Sequence, residues 1–208
     1  LANYTKKYAK PGARIEILPT VVDTDVYAPV SVKSNSHKIT IGWIGTPRGS
    51  RYVEDLKSVF ARLSQRYKQV HFVFVGASTF AIDGLPIEFR NWNLALEPSD
   101  IASFDIGIMP LTDDEETRGK CGFKLIQYMS SGVAAIASPV GMNKQIISAG
   151  HNGLFAETEA QWEEGLARLI EGHLFRKRLA SNGRQTVIDN YSLAVCAPKL
   201  LKILQQTV

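Results

Sequence analysis

Four short apolar runs recur along the chain, too short for free-standing helices and too continuous for half-exposed strands. They are residues 38–44 (KITIGWI), 70–76 (VHFVFVG), 104–110 (FDIGIMP) and 134–138 (AAIAS). A run of this length, bounded by turn formers, reads as a strand buried on both faces of a sheet. Between them the apolar spacing becomes helical. Val53, Leu56, Val59, Phe60 and Leu63 form one apolar helix face after the first run, and Phe123, Ile126 and Met129 form another before the fourth, where Gly132 stands as a helix stop. Strands that alternate with helices predict an α/β fold with a doubly wound parallel sheet.

The remaining elements are lighter in signal. Further strands are expected at 14–18, around 91–96 and at 154–156. Helices are expected at 2–9, near 143–149, and at 159–171, 174–190 and 193–204. Residues 31–37 read as a polar loop, and the stretch containing Pro86 as irregular. The stripe Leu166, Leu169, Ile170 is core packing and no cofactor signature.

Composition narrows the function classes. With 208 residues, 45% of them hydrophobic, the chain can bury one substantial core, or one full domain plus a fragment of another. No apolar run approaches membrane-spanning length and no signal peptide opens the chain. Leu1 in place of Met marks it as the expected piece of a longer protein. Cys121 and Cys196 lack metal-ligand spacing and suit a reducing cytoplasm, so the expected location is cytoplasmic. A net charge of +4 is compatible with anionic ligands or peripheral contact at the inner face of a membrane, but without a dense Lys/Arg run no nucleic-acid partner is expected.

Residues 104–141 concentrate the chemistry. A buried strand closed by Pro110 leads into a loop, acidic and then basic, and a helix beginning near Gly122. In open parallel sheets ligands bind at the carboxyl ends of strands, and a helix start favours an anion through its unpaired amides and dipole. Lys120 and Lys124 flank that start, so two ammonium groups could reach one anion; the other reading is two solvated surface charges over a covering helix. A second candidate turn is GTPRGSRY at 45–52. There Gly45 and Thr46 let the backbone approach a ligand, and Arg48 or Arg51 could grip a diphosphate; an ordinary strand-to-helix turn is the alternative. Asp23 and Asp25 imitate a metal motif but lie in a linker, Asp113 to Glu116 read as a solvated acidic loop, and His151 reads as a turn residue.

The run GKCGFKLIQYMSSGVAAIASPVG, residues 119–141, resembles the nucleotide-sugar site of the large glycosyltransferase family 4 (group 1). That family has the two-domain GT-B fold, and the likeness extends over nearly the whole chain. It implies that residues 1–30 are the tail of an N-terminal acceptor domain plus linker, and that 31–208 form the Rossmann-like C-terminal half, a donor-binding domain ending in helices. The family's usual pair of glutamates, eight positions apart, falls here on Gly119 and Gln127, so both carboxylates are missing. Lys124 matches a variant that carries lysine three residues before the second acid. At the first turn Thr46 replaces a phosphate-contacting arginine, and Arg51 is the match to a nearby lysine.

The resemblance implies a retaining glycosyltransferase, hexosyltransferase-like, moving a sugar from a nucleoside diphosphate sugar to a glycan or lipid-linked acceptor held by the missing domain. The fragment alone is then expected to be inactive. Donor-binding candidates are Gly45, Thr46, Arg51, Lys120, Gly122, Phe123, Lys124 and Gln127, with Gln127 facing the ribose. No catalytic residue is assigned. No metal or cofactor is expected, because cations and helix-end amides would stabilise the departing diphosphate. The missing carboxylates motivate one alternative from another class, a non-catalytic nucleotide-sugar-binding or scaffolding module. An epimerase or phosphorylase of the same fold lacks placeable groups.

Overall fold

The computed structural model describes residues 2–30, 38–77, 85 and 87–206. Its centre is a six-stranded, all-parallel sheet in the order β3-β2-β1-β4-β5-β6. The strands are β1 (Ile39–Ile44), β2 (Val70–Val75), β3 (Ile87–Arg90), β4 (Ile106–Met109), β5 (Ala134–Ala137) and β6 (Leu154–Phe155). The helices are α1 (Ala2–Tyr8), α2 (Arg51–Glu54), α3 (Lys57–Arg66), α4 (Glu97–Ala102), α5 (Glu115–Arg118), α6 (Phe123–Ser130), α7 (Asn143–Ile146), α8 (Glu159–Glu171), α9 (His173–Asn190) and α10 (Leu193–Gln205).

Each central strand divides its side chains between two cores, as a period of two requires. Ile41 and Trp43, Phe72 and Phe74, and Ile106 and Ile108 enter one core with Val59 and Phe60 of α3 and Leu166 and Leu169 of α8. Ile44, Val73, Val75 and Met109 enter the other with Ile101 of α4 and Leu125, Ile126 and Met129 of α6. The first core is aromatic, with the Phe60 and Phe72 ring centroids 4.7 Å apart.

On the second face β1 and β4 carry glycines in register, Gly42 opposite Gly107. A Cβ at Gly42 would lie 2.1 Å from the Phe104 ring, and one at Gly107 would lie 2.5 Å from Tyr128. The two glycines therefore form a flat floor for two rings, which meet edge to face. Pairing of β1 with β4 is Ile41 with Ile106 and Gly42 with Gly107, while β1 stays in register with β2 to its end, Ile44 opposite Val75. The Tyr128 hydroxyl bridges the opening between β1 and β4: it accepts from the Ile44 amide at 3.1 Å and donates to the Ile108 carbonyl at 3.3 Å. Burial pushes this phenol's pKa up, so it stays protonated and keeps its donor.

Several expectations need correction. Residues 91–96 form turns leading into α4, because Leu96 caps the helix opened by Glu97 and Pro98, and the strand of this region is 87–90. Residues 14–18 pair with no strand among the described residues. The helix expected after the first strand is broken into α2 and α3 at Asp55 and Leu56. The expected loop at 31–37 and Pro86 lie outside the described residues. The segment before β1 is docked onto the domain: Val22 is buried, its amide donates to Tyr191, and its carbonyl accepts from Leu193. Among the described residues no helix is long and apolar enough to cross a membrane.

Tyr128→Phe keeps the ring on Gly107 but strands the buried Ile44 amide. A loss of about 1–3 kcal/mol in unfolding free energy is expected from chemical denaturation; a loss below a few tenths would show that the hydroxyl bridge carries nothing.

Candidate functional site

Where β1 and β4 part, a cleft of about 710 Å³ opens at their carboxyl ends. Ile44, Gly45, Thr46 and Met109 line it from the ends of β1 and β4. Residues 119–124 and Gln127 line it from α6 and the loop before it, and Trp92 and Glu97 from the segment that opens α4. This is the point where strand order reverses from the β1-β2-β3 side to the β4-β5-β6 side, the place where open α/β sheets present strand ends and helix starts to ligands.

Gly122 starts the basic wall. It is the N-cap of α6 with φ +73°, and a Cβ there would lie 2.4 Å from Ile146, so glycine is required both by conformation and by space. No side chain caps this helix. Side-chain caps occur at α5 (Asp114), α8 (Thr158) and α10 (Ser192), whereas α2, α3, α4, α7 and α9 lack one as α6 does, and of these uncapped starts that of α6 lines the cleft with Gly122, Phe123 and Lys124. The first amides of α6 are thus left for whatever enters the cleft.

Two ammonium groups stand beside that helix start. Lys124 Nζ lies 5.4 Å from the centre of the Trp43 ring, and Lys120 Nζ lies 5.1 Å from that of Tyr52. Neither has a carboxylate partner among the described residues. Burial, and then the neighbouring charge of Lys120, push the pKa of Lys124 down to about 8. Gly45 makes this packing possible, since a Cβ there would sit 2.5 Å from the Trp43 ring and 3.0 Å from the Lys124 stem.

The acidic loop is committed elsewhere. Asp113 pairs with Arg118 at 2.7 Å, Glu116 pairs with Arg48 at 2.8 Å, and the Asp114 carboxylate accepts from the Thr117 amide at 2.8 Å. Among the described residues no group of three His, Cys, Asp or Glu side chains is arranged to hold a metal.

Of the residues singled out from sequence, Gly45, Thr46, Lys120, Gly122, Phe123, Lys124 and Gln127 all line the cleft. Arg51 does not. Its guanidinium donates to the Tyr52 hydroxyl at 2.6 Å, so it shares that ring with Lys120 just outside the lining. Glu97 and Trp92 were missed. The Glu97-Pro98 pair reads as an ordinary helix opening, and only the fold shows that Glu97 lines the cleft, receiving Gln127 Nε2 at 2.6 Å and the Tyr27 hydroxyl at 2.5 Å. Trp92 Nε1 donates to the other carboxylate oxygen. Burial, and then the Glu97 hydrogen bond, push the Tyr27 phenol up to about 12.

A doubly wound sheet with an anion-seeking cleft at its switch point is the architecture of nucleotide-binding domains. A family model described as glycosyl transferases group 1 matches residues 38–172, and the chain belongs to that family. No curated protein sequence matches the chain. Solved structures show the fold. The C-terminal domain of the group 1 glycosyl transferase LpcC from Francisella tularensis is 22% identical, with 83% of this chain and 99% of that one covered and a TM-score of 0.66. Anabaena Alr3699/HepE, in complex with UDP and glucose, is 14% identical with a TM-score of 0.72 over 91% of this chain. S. aureus TarM, as a variant in complex with Fondaparinux, alpha-GlcNAc-glycerol and UDP, is 14% identical with a TM-score of 0.75 over 96%. The chain spans 56% of that HepE chain and 41% of that TarM chain. Its fold is that of the C-terminal half of a GT-B glycosyltransferase.

Lys124, which has no carboxylate partner among the described residues, opposes folding. Its ordinary pKa in the unfolded chain is 10.5, so below pH 8 both states are charged and the folded state bears the full desolvation cost; above 10.5 both are neutral and the cost vanishes. Lys124→Met should therefore be more stable than the native chain by about 1–3 kcal/mol at pH 7, with the difference shrinking as pH rises from 8 to 10.5. Denaturation curves across that range test this, and a Lys124→Met chain less stable at pH 7 would refute it.

Proposed function

We propose that this chain is the donor-binding half of a retaining glycosyltransferase and that its cleft holds a nucleoside diphosphate sugar. The observation that carries this reading is the pair of unpartnered lysines beside the uncapped start of α6. The diphosphate would lie against Lys120, Lys124 and the amides of Gly122 and Phe123, with Gly45 and Thr46 opposite.

As the bond from the anomeric carbon to the diphosphate oxygen breaks, negative charge grows on the departing group. Fixed cations and amides that meet this charge stabilise the transition state more than the bound donor. The two lysines would supply positive charge that a divalent cation brings in other phosphate sites, so we propose transfer without a metal. The acceptor, a glycan or lipid-linked sugar, would be held by a domain preceding residue 31, with residues 1–30 as its tail and the linker, in a protein working in the cytoplasm or at the inner membrane face. HepE and TarM are described in complexes with UDP, which makes UDP the first ligand to try.

A second reading, a binding module without turnover, is favoured by one fact: Gly119 and Gln127 stand where the resembled family carries carboxylates. Donor binding is common to both readings, and glucosyl or related transfer by the full-length protein separates them.

A thermal-shift panel of UDP, GDP and ADP should give one clear responder. At one hundred times Kd the gain is about 2.7 kcal/mol, or roughly 5–10 °C for a chain of this size. Lys120→Ala and Lys124→Met should each weaken that nucleotide about tenfold. Since an anion selects the charged lysine, affinity of the native chain should fall as pH rises above about 8, and that fall should be absent in Lys124→Met. Silence to all three nucleotides would sink the donor reading.

A further inference from the structure

The cleft holds an amine that no described carboxylate neutralises. Lys124 Nζ lies 5.4 Å from the centre of the Trp43 ring and Lys120 Nζ 5.1 Å from that of Tyr52, and neither is in an ion pair among the described residues. Glu97, the carboxylate among the lining residues, already accepts from Gln127, Tyr27 and Trp92. A lysine gains nucleophilic power by desolvation and by a second cation beside it, since both favour the amine over the ammonium ion. Lys124 has both, burial first and the charge of Lys120 second. Exposed lysines such as Lys57 and Lys68 lack the desolvation.

The same cleft favours an anion. Lys120 and the first residues of α6, whose start has no side-chain cap, line it together with the Lys124 amine. A molecule that joins a phosphate to an electrophilic carbon through one bridging oxygen therefore meets a binding group and a nucleophile in one place. Acyl phosphates have this form.

We propose that Lys124 is a site of acylation by small acyl phosphates, which the cleft gathers by their phosphate and presents to the amine. The neutral amine attacks the carbonyl carbon, a C–N bond forms as the C–O bond to phosphate breaks, and phosphate leaves with the bonding pair and takes up the surplus proton. Amine and acyl phosphate become amide and inorganic phosphate, with no further reactant. The cation and amides that bind the phosphate also stabilise the charge it gains on leaving. The product amide is neutral, so the cleft loses one of its two lysine charges. The site rests on the geometry of the cleft alone; its consequence, a cleft switched off toward nucleotides, rests on the donor reading above.

Incubation of this chain with acetyl phosphate, followed by peptide mass mapping, tests the site. Hydroxylamine added before digestion strips any thioester from Cys121, which also lines the cleft, so that only amides are counted. Lys124 should be acetylated about tenfold faster than Lys57 and Lys68. Excess inorganic phosphate should protect Lys124 and leave the exposed lysines unaffected. Lys120→Ala should slow Lys124 by about threefold or more without changing Lys57 or Lys68. With N-hydroxysuccinimidyl acetate, which carries no phosphate, the preference for Lys124 should be smaller by about threefold or more. Acetylation of Lys124 no faster than of the exposed lysines overturns the proposal, and so does an equal preference with the two reagents. The acetylated chain should also lose its thermal-shift response to nucleotide. A chain acetylated at Lys124 but silent to nucleotides before treatment ends the donor reading and leaves the site standing; a chain that responds to nucleotide but shows no preference at Lys124 ends this proposal alone.

Discussion

The cleft depends on one hydrogen-bonded hydroxyl. β1 and β4 are neighbours at Gly42 and Gly107 and need a partner for the Ile44 amide once they part, and Tyr128 supplies it from α6. The ring can lie there because both strands carry glycine beneath Phe104 and Tyr128. Without the phenol, the parted strand ends would leave a buried amide unpaired, at the cost of a lost hydrogen bond or a closed gap. The same side chain sets the depth of α6, whose first turn carries Lys124 and the uncapped amides and whose second carries Gln127. Sheet topology, helix placement and site chemistry meet at one residue.

Stability is given up to make the site. Lys124 is kept charged in a pocket whose burial opposes the charge, over a Trp43 ring that compensates only in part through its negative face. Apolar packing there would hold the fold better. A half-buried cation with no carboxylate among the described residues is the arrangement expected where the counter-charge arrives with a ligand. The start of α6 adds to this, since it opens onto the cleft from a left-handed glycine with no side-chain cap.

Most of the fold was legible because buried parallel strands announce themselves as continuous apolar runs, and 39–44, 70–75, 106–109 and 134–137 all fall inside such runs. β3, with the pattern IEFR, was missed: as an edge strand it is only partly buried and reads no differently from a loop. On the basic wall, Lys120, Gly122, Lys124 and Gln127 were legible because they are close in sequence and one helix start positions them. Glu97 was not, since its relation to Gln127 spans thirty residues and exists only after α4 packs against α6. Arg51 illustrates the opposite limit, for a side chain well placed along the sequence can be turned aside by its own neighbour, here the Tyr52 hydroxyl.

Gly119 and Gln127 acquire a reason once Glu97 is placed. At Gly119 the backbone φ is −80° and a Cβ would lie 3.3 Å from the Glu116 carbonyl, a tight fit in an ordinary conformation, so the backbone alone does not force the loss of a carboxylate there. Electrostatics provides the stronger argument. Among the ionisable groups lining the cleft, two lysines stand against the single carboxylate of Glu97, and the balance is positive. Glutamates at both 119 and 127 would reverse it. At 127 the second acid would also meet Glu97 where Gln127 Nε2 now donates at 2.6 Å, placing two carboxylates in contact and forcing one to take up a proton. With the carboxylate delivered from α4, position 127 must be a donor toward Glu97 and an acceptor toward the cleft, and glutamine is the side chain of that length that does both.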